Sequence, residues 1–294
     1  MEKNVGENYH VFRNYNQGML DKEYDNSGKV PNVELIMDRW LELGRIACDS
    51  METELDVKYG SHPRQSLDIF PTHTPDCPIL VFIHGGYWTK RAKDIGHFLA
   101  PFYVNSGINF ISLDYRLVPE VSIREIIDDV RTGIIWLNSN TEKFRVDRPQ
   151  IFIAGHSAGG HLAALMCGPF GLPEGIIKGG CSISGLHDLE PIRLSYLNEI
   201  LKLNSADAKA FSPLALAEAL SPGNISLPPF IIAVGAEEGP EYLRQSSALA
   251  AALKTGEQRV LNIRLKMRNH FSACEAFSEP KSPLSKAMLD LILN

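Results

Sequence analysis

Residues 150–167 read QIFIAGHSAGGHLAALMC, and this stretch decides the fold. Its first six residues are mostly apolar, which is typical of a strand buried on both faces, and residues 158–167 predict a helix of small and apolar side chains. Between them lies G-x-S-x-G at Gly155 to Gly159. A tight strand-to-helix turn leaves the serine hydroxyl exposed and places the next amide, that of Ala158, at a helix N-terminus. We therefore predict that Ser157 is a nucleophile. A glycine-rich turn without chemistry is the alternative.

Predicted strands and helices alternate on both sides of this turn. Strands are predicted at 66–70, 78–83, 108–113, 176–183, 230–234 and 259–266, and helices at 33–43, 95–104, 122–138, 242–254 and 284–293. Such alternation predicts an α/β fold, with a mostly parallel central sheet and helices on both faces. We expect residues 1–294 to form one domain, with a helical N-terminal segment over residues 1–50.

Two regions depart from the alternation. Residues 54–59 and 66–70 predict an antiparallel hairpin at one edge of the sheet. Residues 186–220 predict one or two helices inserted between strands, as a small helical cap over the active site.

The sequence His84-Gly85-Gly86-Tyr87-Trp88 directly follows the predicted strand 78–83. Glycines allow backbone N–H groups to turn towards a substrate oxygen. We therefore predict that the amides of Gly85, Gly86, Tyr87 and Ala158 form an oxyanion hole. A phosphate cradle is disfavoured, because no Gly-Lys-Ser/Thr follows. Tyr87 and Trp88 are predicted to stack on a flat substrate, with core packing as the alternative for Trp88.

A serine hydroxyl needs a base to take its proton. His270 follows the last predicted strand, and it is the only histidine after His187. The acid is expected after strand 230–234, where Glu238 is our first choice, Glu237 the second and Glu241 the third. His187 is predicted either to line the substrate pocket or to cap a helix.

Composition narrows the class of protein. The net charge of −6 without a basic stripe argues against nucleic acid as a partner. No apolar stretch is long enough to span a bilayer, and the first residues lack a charged opening followed by an apolar run. Five cysteines without CxxC spacing indicate reduced thiols and no zinc site, so we expect a cytoplasmic protein. The oligomeric state is left open, a homodimer included.

Taken together, the two glycine motifs resemble those of the animal and fungal type of arylformamidase, also called kynurenine formamidase, in the α/β-hydrolase superfamily. The HGG-x-W motif of that family is matched by residues 84–88 at every fixed position. Residues 24–27 with Trp40 resemble its N-terminal segment, residues 184–191 its post-strand loop, and residues 234–246 its acid loop and following helix. The family usually has aspartate as the acid, whereas the matching residue here is Glu238, which is one methylene longer.

The resemblance implies a serine hydrolase that cleaves N-formyl-L-kynurenine to L-kynurenine and formate through an acyl-enzyme on Ser157. The substrate is a small molecule, and no metal or organic cofactor is required. A carboxylesterase acting on short-chain acyl esters is the alternative, with the same machinery and a different pocket. A hydrolase fold used only as a receptor is disfavoured, because this chain retains both Ser157 and His270.

Overall fold

The computed structural model describes residues 9–141, 149–168, 172–221 and 225–294. Within these residues, eight strands form one sheet in the order β1-β2-β4-β3-β5-β6-β7-β8. The strands are β1 Glu54–Lys58, β2 Ser66–Phe70, β3 Ile79–Ile83, β4 Asn109–Leu113, β5 Ile151–His156, β6 Ile177–Ile183, β7 Phe230–Gly235 and β8 Val260–Leu265. β2 pairs antiparallel with β1 and β4, and the pairs from β4 to β8 are all parallel. The predicted α/β fold with a mostly parallel sheet is confirmed.

Helices cover both faces of this sheet. In the described residues they are α1 Gln17–Tyr24, α2 Asn26–Lys29, α3 Val33–Ser50, α4 Ala100–Val104, α5 Ile123–Ser139, α6 Ala158–Cys167, α7 Glu190–Leu194, α8 Asn198–Leu201, α9 Ser205–Ala210, α10 Pro213–Glu218, α11 Pro240–Thr255, α12 His270–Glu275 and α13 Pro283–Leu293. Alternate residues of β3 contribute to two separate cores. Val81 packs in one core with residues of α5 and α6, and Phe82 packs in the other with residues of α3 and α13. Burial on both faces explains why β3 is a continuous apolar run.

Several predicted boundaries differ from the observed ones. α3 continues to Ser50 instead of ending at residue 43, and the predicted helix 95–104 begins as a 3-10 helix over Lys93–Leu99. Residues 186–220 contain four short helices, where we expected one or two. Prolines at the starts of α7 and α10, and the Asn204 side chain that caps α9, divide this region into separate turns.

Parallel pairing places the carboxyl ends of β3, β5, β6, β7 and β8 at one edge of the sheet. The residues with candidate chemistry follow these ends, since His84 follows β3 and Ser157 follows β5. Glu238 and His270 come a few residues after β7 and β8. Among the described residues, every helix is too short or too polar to cross a membrane.

Candidate active site

Ser157 lies in a strained turn between β5 and α6. Its φ of 57° and ψ of −118° are unusual for a residue with a side chain, and its amide donates to the Ile183 carbonyl at 2.9 Å. Two residues further on, any Cβ on Gly159 would overlap the Ile83 carbonyl oxygen, so only glycine fits there. The close approach of the two backbones therefore explains why the motif requires glycine at residue 159. The Ser157 residue lines a cleft.

His270 and Glu238 form a buried pair. The His270 Nδ1 lies 2.7 Å from Glu238 Oε2, and both residues are less than a tenth exposed. The other carboxylate oxygen, Oε1, accepts from the Ser184 hydroxyl at 2.5 Å and from the Gly235 amide at 2.7 Å. Glu238 is thus held by hydrogen bonds on both oxygens, whereas Glu237 is exposed and directs no side-chain contact to His270.

The cap of α12 sets the orientation of His270. Asn269 accepts hydrogen bonds from the amides of Phe271 and Ser272, which begins the helix at His270. His270 lines the same cleft as Ser157, yet within the described residues no hydrogen bond joins its ring to the Ser157 hydroxyl. Hydrogen bonds between catalytic groups commonly tighten only once substrate is bound.

The loop after β3 runs beside Ser157. A Cβ on Gly85 would lie 3.1 Å from the Ser157 Cβ, which shows how closely the loop approaches the nucleophile turn. Gly86, Tyr87 and Trp88 all have positive φ, between 51° and 113°. Among the described residues, no acceptor takes a hydrogen bond from the amides of Gly85, Gly86, Tyr87 or Ala158. These four amides stay the predicted oxyanion donors.

The buried His84 side chain contacts the backbone of this loop and fixes its position. Its Nδ1 lies 2.8 Å from the Gly85 carbonyl oxygen, and its Nε2 lies 3.0 Å from Asp114 Oδ1. The imidazole also stacks on the Tyr115 ring, with centroids 4.3 Å apart and planes 5° apart. A buried histidine with a partner at each ring nitrogen acts as a rigid brace for the following backbone.

The N-terminal helices hold the Tyr87 side chain. The Asn26 amide donates to the Tyr87 hydroxyl at 2.9 Å and to the Tyr242 hydroxyl at 2.7 Å, and Tyr87 donates to the Tyr24 carbonyl at 2.7 Å. Asn26 and Tyr242 are themselves buried. The loop at residues 84–88 is therefore tied through Tyr87 both to α2 and to α11.

The cleft at Ser157 is narrow, with a cavity volume of about 60 Å³. Aromatic and apolar side chains form one wall, with Trp40 stacked on Phe98 at 4.8 Å between centroids and approached edge-on by Phe271. Sequence reasoning did not assign the wall residues of the N-terminal segment to the site. The lining residues are Asn26, Ser27, Met37, Trp40, Gly85, Gly86, Tyr87, Lys90, Arg91, Ile95, His156, Ser157, His270 and Phe271.

His156 contributes an uncharged wall next to His270. Its Nε2 lies 2.8 Å from the His270 carbonyl oxygen, and the two rings are 4.7 Å apart. Burial lowers the pKa of His156 from 6.5 to about 3, and the neighbouring His270 adds to the shift. A neutral His156 places no competing positive charge beside the His270 ring.

Two residues predicted to contact substrate lie elsewhere. Trp88 is fully buried in the core, where its ring meets His161 edge-on at 5.1 Å. The successive left-handed residues turn Tyr87 to the cleft and Trp88 away from it. His187 is also fully buried, 3.4 Å from the Ser182 hydroxyl, and its amide donates to Gln245. Neither side chain lines the cleft.

The helices of residues 186–220 do not line the cleft among the described residues. His161 of α6 contacts the Phe211 carbonyl at 2.8 Å, and α10 packs against α11, so this region covers the side of the sheet away from Trp40. The cover near Ser157 comes instead from α2 and α3. The described residues also hold no cluster of three or more His, Cys, Asp or Glu side chains arranged to bind a metal.

Comparison with known proteins agrees with this architecture. A family model described as BD-FAE matches residues 67–169. A crystal structure of a candidate thioesterase from Silicibacter sp. TM1040 superposes with a TM-score of 0.79 at 27% identity, covering 94% of this chain and 99% of its own. Esterase B of Lactobacillus rhamnosus has the same fold, with a TM-score of 0.68 at 17% identity. The chain is an α/β-hydrolase.

Sequence relatives indicate which group of α/β-hydrolases this chain resembles. The kynurenine formamidase of Danio rerio is 29% identical over 246 residues, which is 82% of each chain. Esterase LipC of Mycobacterium tuberculosis is 39% identical over 113 residues, covering 37% of this chain and 28% of its own. Within the α/β-hydrolases, this chain is similar to kynurenine formamidases over most of its length, as the motifs at residues 84–88 and 155–159 predict.

Proposed function

We propose that this protein hydrolyses aryl formamides, with N-formyl-L-kynurenine as substrate and L-kynurenine and formate as products. The observation that supports this most is the similarity to kynurenine formamidases, which extends over 82% of this chain and 82% of the relative. Esterase LipC is more similar per residue, but over a much smaller part of the chain.

In the proposed acylation step, His270 accepts the Ser157 proton as the hydroxyl oxygen attacks the formyl carbon. The amides of Gly85, Gly86, Tyr87 and Ala158 stabilise the negative charge on the carbonyl oxygen. Glu238 holds the imidazole with Nε2 free to accept a proton, and it stabilises the imidazolium that forms. The C–N bond then breaks as His270 protonates the departing aryl amine.

In the proposed deacylation step, His270 activates a water molecule that attacks the formyl-serine ester. The second tetrahedral intermediate uses the same four amides. Formate leaves as the proton returns from His270 to the Ser157 oxygen, which restores the free enzyme. Each proton that His270 accepts is thus returned within the same half-reaction.

The shape of the cleft suits this substrate class. A formyl group needs little room between Gly85 and Ser157, where the backbones approach closely. We expect an aryl leaving group to pack against the wall formed by Trp40, Tyr87 and Phe271. Since aromatic faces and edges attract each other, this wall favours a flat ring over a flexible acyl chain.

The test compares two substrates on the purified full chain. We expect kcat/KM for N-formyl-L-kynurenine, followed by kynurenine release, to exceed kcat/KM for p-nitrophenyl acetate. The Ser157→Ala variant should lose both activities and its labelling by a fluorophosphonate, while retaining its thermal unfolding transition. Negligible turnover of the formamide beside the ester would overturn the formamidase proposal in favour of a carboxylesterase. Absence of a fluorophosphonate adduct on the wild-type chain would overturn the proposed nucleophile.

The carboxylesterase is the second candidate, and the 39% identity to esterase LipC over 113 residues favours it. We also propose a cytoplasmic location, which the five unpaired cysteines support. A homodimer stays a prediction, and sedimentation equilibrium would test it.

A further inference from the structure

Two basic residues lie at the mouth of the cleft. Lys90 and Arg91 follow the oxyanion loop, and the amides of Thr89 and Lys90 both donate to the Gly86 carbonyl, at 3.0 and 3.2 Å. Both residues line the same cleft as Ser157 and His270. Lys90 is exposed and Arg91 is half-buried.

Neighbouring cations have carboxylate partners. Lys93 contacts Asp56 at 2.7 Å and Asp68 at 3.4 Å, and Arg64 contacts Asp114 at 2.7 Å. In the ranges that the structure describes, by contrast, no carboxylate oxygen lies within 4.0 Å of the Lys90 ammonium or the Arg91 guanidinium. The positive charges at the mouth are therefore not neutralised by the protein.

The cleft itself adds no negative side chain. Its described lining contains no aspartate or glutamate, and Glu238 lies behind His270 with both oxygens already hydrogen-bonded. The whole chain has a net charge of −6. The local positive charge of Lys90 and Arg91 is therefore opposite in sign to the net charge of the protein. A cleft lined by one sign of charge concentrates ligands of the opposite sign.

We propose that Lys90 and Arg91 form a subsite for a carboxylate carried by the leaving group of the substrate. Arg91 presents a planar fork of donors that can bind both carboxylate oxygens, and Lys90 adds a mobile point charge at the rim. The inference rests on the proposed function, because it assigns the amino-acid end of an aryl formamide to one side of the cleft. Such a subsite would give a lower KM to substrates that carry an anionic group beyond the aryl ring.

The test compares an anionic and a neutral substrate in matched variants of the full chain. In Arg91→Gln we expect KM for N-formyl-L-kynurenine to rise about 10- to 100-fold with kcat within about twofold, because the lost charge-assisted hydrogen bond stabilises the bound substrate and the transition state equally. Kinetics on neutral formanilide should not change. Arg91→Lys should recover part of the loss, and Lys90→Gln should give a smaller rise. Lys178→Gln is the matched control, since Lys178 is an exposed lysine at the opposite end of β6.

Equal losses on the neutral and anionic formamides in Arg91→Gln, or no loss on either, would overturn the subsite. If wild-type protein cleaves neither formamide, the proposed function fails and the subsite is tested with 4-acetoxybenzoate against phenyl acetate. These two esters share one acyl group and differ in the charge of the leaving group. A selective KM increase for 4-acetoxybenzoate in Arg91→Gln would support the subsite even then, and equal values would refute it.

Discussion

Replacing Glu238 with glutamine tests the proposed acid without changing its size. The carboxylate accepts three hydrogen bonds, from His270 Nδ1, the Ser184 hydroxyl and the Gly235 amide. A glutamine has one acceptor oxygen and one amino group. If the oxygen stays with Ser184 and Gly235, the amino group faces His270 Nδ1 and favours the tautomer with the proton on Nε2. That tautomer cannot accept the Ser157 proton.

The expected loss in kcat is about 1,000- to 10,000-fold, which corresponds to about 4–5.5 kcal/mol of transition-state stabilisation. The measurement is kcat on N-formyl-L-kynurenine, or on p-nitrophenyl acetate if the ester is the better substrate, with thermal unfolding to establish folding. Glu237→Gln is the matched control, because Glu237 is the adjacent glutamate and is exposed. We expect its kcat within about twofold of wild type. A folded Glu238→Gln variant with activity within tenfold of wild type would refute the reasoning, as would a larger loss in Glu237→Gln.

Three further predictions concern the surroundings of the site. Gly85→Ala should lower kcat at least 100-fold in steady-state assays, because its Cβ would lie 2.8 Å from the His156 carbonyl and displace oxyanion donors. Tyr87→Phe should lower kcat about tenfold by releasing the loop from Asn26, and an unchanged kcat would contradict this. Burial lowers the pKa of His161 from 6.5 to about 4, so unfolding takes up a proton between these values and stability falls as the pH drops below 6.5. In urea titrations at pH 6.5 and 4.5, His161→Gln should reduce that fall by about 2–3 kcal/mol.

Local sequence patterns predicted the positions of most candidate site residues, because the topology of a parallel sheet fixes where the residue after each strand lies. In a parallel sheet the carboxyl ends of the strands share one edge, so an apolar run followed by a polar residue locates that residue in space. This rule applies to Ser157 after β5 and to Glu238 after β7. The contact between Glu238 and His270 follows from the order of the strands, although the choice between Glu237 and Glu238 depended on the turn itself.

Other features depend on contacts that a sequence does not display. Asn26 and Trp40 line the cleft through packing against residues more than 60 positions away, and their local pattern indicates only an amphipathic helical segment. The direction of the Trp88 side chain depends on the φ of 59° at that residue. His187 is fully buried beside Ser182 and Gln245, although its position after a strand suggests an exposed loop.

The bonds from Asn26 to Tyr242 and from Trp40 to Glu275 join residues 216 and 235 positions apart. Contacts of such separation form late, because the loop between the partners must close before they contribute any free energy. During translation, Ser157 and the loop at residues 84–88 are made well before Tyr242, so the contact of Asn26 with Tyr242 cannot form until later. A partly synthesised chain would thus carry Ser157 without its proposed base, His270, and without the bonds that fix Tyr87, so we expect no hydrolysis before residue 270 is in place.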